Sequence, residues 1–168
     1  MKRILAALFV ALGVALVGTI GVASAAPPHN FTTGGGKVVT TLIPDSTQVE
    51  KFAFSAHAIG STTAARNGHF VYEQTLTFST GSTRTLELKG RVACVRVEGN
   101  RASFSGLIEK ASSSDPDDTD LVGSFANFDV ADNPDQFLFA GTSMSPTCGI
   151  PLAGNPLTSG NIVVNNAQ

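Results

Sequence analysis

The chain has 168 residues, 42% of them apolar and 14% charged, with 11 Lys and Arg against 13 Asp and Glu and no Trp. That length suits one domain with a proper core. Beyond Lys2-Arg3 the basic residues are scattered singly, so nucleic acid and anionic membrane surfaces, which are held by clustered Lys and Arg, are not expected partners.

Residues 1–25 read as a secretory signal peptide. Met1-Lys2-Arg3 precedes an apolar run from Ile4 to Val22, and Ala23-Ser24-Ala25 supplies the small-x-small exit for cleavage after Ala25. The run is long enough to span a bilayer, which makes an uncleaved anchor the rival. Gly13, Gly18 and Gly21 dilute it, no positive stop-transfer cluster follows, and no Cys at the exit invites a lipid anchor. The expected mature chain is secreted, with no stable membrane insertion after cleavage. Without Lys2 and Arg3 it carries nine basic residues against thirteen acidic ones, a formal charge of −4.

Residues 26–33 read as a flexible N-terminal stub, and residues 34–168 as one all-β domain. Period-2 alternation dominates, and no amphipathic helix of useful length occurs. Over Val49–Ile59 the even positions Phe52, Phe54, Ala56 and Ala58 alternate with Lys51, Ser55 and His57; over Gly68–Ser79 the even positions Phe70, Tyr72, Leu76 and Phe78 alternate with His69, Glu73, Thr75 and Thr77. Leu86 and Leu88 continue the pattern after the turn Thr80-Gly81-Ser82. Such strands bury one face and wet the other.

Glu98-Gly99-Asn100-Arg101 reads as a tight hairpin turn, with Gly99 and Asn100 both at positive φ. Its register pairs Val97 with Ala102, Val95 with Phe104 and Ala93 with Gly106. The inward parity must then flip between Leu88 and Ala93, and Gly90 is placed to supply a β-bulge. Cys94 and Arg96 fall on the outer face.

Ala111–Asp120 reads as a polar loop. Alternation resumes at Val122, Ala126, Phe128 and Val130, followed by the turn Asp132-Asn133-Pro134-Asp135 and a short strand over Phe137–Ala140. Thr142–Thr158, with Pro146, Pro151 and Pro156, must be an irregular loop, and Gly160–Asn165 a last strand. Roughly eight strands in hairpin succession predict a single antiparallel β-barrel or sandwich, mostly meander-connected.

Cys94 and Cys148 are the only cysteines. In an exported chain an even pair oxidises, and closing a loop of this size stabilises by about 4 kcal/mol in the chain-entropy model. Asp115, Asp117, Asp118 and Asp120 form the densest carboxylate cluster. Calcium favours such oxygens, but the spacing lacks the EF-hand glycine and closing Glu, and a polar loop tip is the ordinary reading; no cofactor is otherwise expected. His29, His57 and His69 are far apart in sequence, without the spacing of a zinc site, and read as exposed side chains. No Gly-x-Ser-x-Gly elbow occurs, and Gly34-Gly35-Gly36 precedes a strand rather than a helix, so neither serine-hydrolase chemistry nor phosphate cradling is indicated. Asn30-Phe31-Thr32 is a glycosylation sequon, relevant only in a glycosylating host.

Several short blocks stand in a suggestive order: Gly34-Gly35-Gly36-Lys37, Phe52-Ala53-Phe54, Gly68-His69-Phe70-Val71-Tyr72, Val97-Glu98-Gly99-Asn100-Arg101-Ala102 up to Gly106, Phe128 to Asp135, and Gly160-Asn161-Ile162-Val163-Val164. Together they resemble the post-COAP-1 type of domain, found in exported bacterial proteins. The resemblance spans nearly the whole mature chain and implies an exported β module; it carries over no catalytic residues. That family tends to have Asp-Asn-Gly-x-Pro-Gly before a further Asp, whereas here Asp132-Asn133-Pro134-Asp135 is shorter and lacks both glycines.

The expected function is that of a secreted, non-enzymatic β domain in extracellular or cell-surface interaction, its partner an extracellular protein, a glycan or a small apolar ligand. Two alternatives stand beside it. One is a barrel whose cavity, lined by Phe52, Phe54, Phe70, Phe78 and Phe104, carries a small apolar molecule. The other is a secreted hydrolase.

Overall fold

The computed structural model describes residues 29–43, 46–59, 63–116, 118 and 120–166. The signal peptide, its cleavage site after Ala25, residues 26–28 of the expected stub, and Asp117 lie outside them. The described residues form nine strands: β1 (His29–Ile43), β2 (Ser46–Ile59), β3 (Ala65–Thr77), β4 (Thr83–Glu98), β5 (Arg101–Ser113), β6 (Phe125–Ala131), β7 (Gln136–Ser143), β8 (Asn155–Pro156) and β9 (Ser159–Asn165). Their order in the sheet, β8-β7-β6-β5-β4-β3-β2-β1-β9, is a meander whose last strand returns beside the first. All pairings are antiparallel, and the sheet curls strongly into a half-barrel. The strand beyond the expected eight is β8, two residues inside the proline-rich loop and too short to leave a periodic signal.

Alternation decides which side chains the curl encloses. Phe52, Phe54, Phe70, Tyr72, Leu88, Phe104, Ile108, Phe128, Phe137 and Ile162 are all buried in one cluster. The curl brings β2 against β7, so that Phe52 stacks on Phe137 with ring centroids 3.8 Å apart. Phe54 meets Phe104 at 4.7 Å, Phe104 meets Phe128 at 4.9 Å, and Tyr72 meets Phe139 at 4.5 Å. Each such pair adds about 0.5–1.5 kcal/mol beyond simple area burial.

The β4–β5 hairpin keeps the expected pairs Val97 with Ala102 and Val95 with Phe104. Three details differ. First, only Gly99 takes positive φ, at 60°, while Asn100 uses its amide to bond the carbonyl oxygens of Asp132 and Asn133 in the neighbouring turn. Second, Gly106 pairs with Val92 rather than Ala93, because Ala93 is itself the extra residue of a bulge between Val92 and Cys94. That bulge flips the inward parity of β4, since Leu88, Gly90 and Val92 are buried before it and Val95 after it. The irregularity at Gly90 is real, but its extra residue is Glu109 on β5. Third, β5 runs to Ser113, into the expected loop.

The stub expectation also changes. His29–Thr33 belong to β1, where Phe31 pairs with both His57 of β2 and Asn165 of β9. A segment with strands on both sides has its backbone groups satisfied and is held. The far edge of β9 is finished by side chains: the Asp135 carboxylate accepts from the Ile162 amide and the Asp132 carboxylate from the Val164 amide, each at 3.4 Å.

Candidate functional site

Cys94 and Cys148 are joined in a disulfide with Cα atoms 6.1 Å apart. As expected, Cys94 lies on the outer face, where it ties the proline-rich loop to β4. Under that loop Asp129 is buried, bonded to Ser103 and to the Leu152 amide; burial raises its carboxyl above the ordinary value, and both bonds pull against the rise.

Of the four aspartates that could attract calcium, Asp115, Asp118 and Asp120 follow the end of β5, and Asp117 lies outside the described residues. Asp115 forms an ion pair with Arg84, and Asp118 accepts from the Ser113 hydroxyl at 2.8 Å. Asp120 lies in the following turn. Among the described residues no group of three or more His, Cys, Asp or Glu side chains is arranged to hold a metal ion.

Tyr72 and Glu50 form an ionisable pair in the interior. The Tyr72 hydroxyl donates to Glu50 Oε1 at 2.6 Å, and both residues are buried. Burial pushes the Glu50 carboxyl above its ordinary range, against the lowering effect of its bonds to Tyr72 and Gln48. Burial also pushes the Tyr72 phenol up, reinforced by the Glu50 charge and by their hydrogen bond.

Polar and aromatic groups also converge on the outer face, where β1–β5 pass side by side. Register places Phe31, His57 and Asn67 in one row across β1, β2 and β3. Thr33, Ser55, His69, Arg91 and Leu107 form the adjacent row across β1 to β5. His57 stacks on Phe31 at 5.7 Å, and His29 completes the ring cluster at 5.6 Å from Phe31 and 6.2 Å from His57. Ser55 Oγ and His69 Nδ1 are 3.2 Å apart, and Arg91 Nε reaches Glu109 Oε1 at 2.5 Å.

Where these rows reach β3–β5 the surface falls into a depression of about 410 Å³, lined by Asn67, Gly68, Arg91, Val92, Ala93 and Leu107. This is the scale of ligand pockets. Two bulges border it, one at Ala93 and one opposite His57, and bulges commonly re-aim side chains next to functional sites. Gly68 forms part of its floor, because a Cβ there would stand 2.3 Å from the Ser55 carbonyl oxygen.

All three histidines of the chain thus belong to one corner of the outer face. Their separation in sequence conceals this; two hairpin registers create it. Aligning β1 with β2 so that Phe31 faces His57, and β2 with β3 so that Ser55 faces His69, exposes the cluster from the sequence. The Ser55–His69 contact has the first link of a nucleophile and base, but a base needs an orienting carboxylate, and the cross-strand neighbours of His69 are Ser55 and the cationic Arg91.

Comparison with protein-family models, with curated proteins and with solved structures finds no match.

Proposed function

We propose that this chain is an exported, non-enzymatic β module that works by binding through its outer surface, as its resemblance to the post-COAP-1 type of domain implies. One observation carries the reading: the interior is filled ring on ring, while polar and aromatic groups are arrayed on the outer face. Of the five phenylalanines that would line the cavity of an apolar-ligand carrier, Phe52, Phe54, Phe70 and Phe104 pack against one another or against Phe128 and Phe137, and Phe78 lies outside the core under the Arg84 guanidinium. That favours surface binding over carriage. The Cys94–Cys148 bond agrees with an oxidising compartment, and the Met1–Ala25 leader supplies the route to it.

The test is expression of the full chain in a bacterial host, followed by fractionation and thiol alkylation. Recovery outside the cytoplasm with both cysteines refractory to alkylation is expected. Retention in the cytoplasm with alkylated Cys94 and Cys148 overturns the reading.

A further inference from the structure

We propose that the outer-face depression at Asn67, Arg91 and Ala93, together with the ring wall of Phe31 and His57 beside it, binds a short stretch of a neutral extracellular glycan. This rests on the surface-binding reading above and names the partner and the place. A sugar ring presents an apolar C–H face and a rim of hydroxyls. It is recognised by a flat ring surface next to side chains that both donate and accept hydrogen bonds.

The two outer rows supply that combination in sequence. Phe31 and His57 form the flat wall, and the Asn67 amide follows immediately in the same row. Ser55, His69 and Arg91 stand parallel to them in the next row. From β1 to β4 the rows cross three interstrand spacings, about 14 Å, so the wall and the depression can engage successive sugar units. The floor at Gly68 and Ala93 is free of bulky side chains, which lets a ring approach the sheet.

Charge decides between a neutral and an acidic glycan. Arg91 is already paired with Glu109, Lys89 with Glu87 and Lys51 with Glu73. A polyanion would have to displace the exposed Glu109 carboxylate from Arg91, the cation that lines the depression, on a chain with more acidic than basic residues. A neutral chain accepts bonds from Arg91 without displacing Glu109.

The experiment is a titration of the isotope-labelled, disulfide-intact protein with chitohexaose, cellohexaose and mannohexaose, and separately with an oligogalacturonate, read by amide chemical shifts. At least one neutral oligosaccharide is expected to move the resonances of Phe31, His57, Asn67, His69 and Arg91. Asn67→Ala or His57→Ala should weaken that binding about tenfold, the loss of one or two good contacts, while Ser82→Ala in the remote β3–β4 turn leaves it unchanged. The wild-type shift map stands on its own if a variant fails to fold. Shifts confined to other surfaces, or movement of these rows by the oligogalacturonate alone, overturn the proposal. So does an absence of shifts with every neutral probe. If the protein is nonetheless exported and oxidised, that failure removes the glycan assignment and leaves the surface-module reading standing.

Discussion

Glu50 is the residue whose chemistry is most at odds with its surroundings. It is 4% exposed in an aromatic interior, where the Tyr72 hydroxyl donates to it at 2.6 Å. Parity along β2 puts Glu50 on the inner face, so its burial is legible in the sequence. Its partner is not, because the pairing comes from the β2–β3 register. Burial holds the folded-state pKa of Glu50 above the unfolded one. Such a group stabilises the fold while protonated, and that contribution is lost as pH rises through the folded value. Asp129 acts in the same direction. Glu50→Gln keeps an acceptor for Tyr72 and removes the charge. The variant is expected to melt above the wild type at pH 7, with the gap closing by about pH 4, where an ordinary glutamate is itself largely protonated. Thermal melts across that range check it; a gap independent of pH contradicts the assignment.

At the scale of elements, the strands announce themselves because each is half-buried and alternates. Their ends and irregularities do not. Gly90 marks a bulge in the sequence, yet the parity flip occurs at Ala93, since a bulge may add its residue to either strand of a pair and only the pairing tells which. The depression on the outer face is a product of such irregularities, and for that reason it was not legible from single-strand patterns. Glycines in the first and last strands, Gly34-Gly35-Gly36 and Gly160, are the trace that the close pairing of β1 with β9 leaves in the sequence. The seam beyond β9 was not, because it is made by Asp132 and Asp135 of a turn. Asp135→Ala removes the acceptor facing the Ile162 amide. A loss of about 1 kcal/mol is expected, with hydrogen exchange accelerating at Ile162 while the amides of the β4–β5 hairpin are unaffected. Uniform acceleration would mean that the seam has no local role.

At the scale of the whole molecule, the sheet is a meander closed by three different devices: the ring-packed interior, the β1–β9 return, and the disulfide across 54 residues. Only the last is covalent, and it reaches the proline- and glycine-rich loop between β7 and β8. Replacing both cysteines by alanine is expected to destabilise the protein by about 4 kcal/mol, measured by urea unfolding of the variant against the oxidised wild type. An unchanged midpoint would mean that the loop is held without its cross-link.

We propose that the protein is exported and oxidised and, with its interior filled, works from its outer surface. The decisive experiment is native mass spectrometry of the protein recovered outside the cytoplasm. A single species is expected that begins at Ala26, is two hydrogens lighter than the reduced chain, and carries no co-purified apolar molecule. An intact leader, free thiols at Cys94 and Cys148, or a retained apolar ligand in the same spectrum would contradict it.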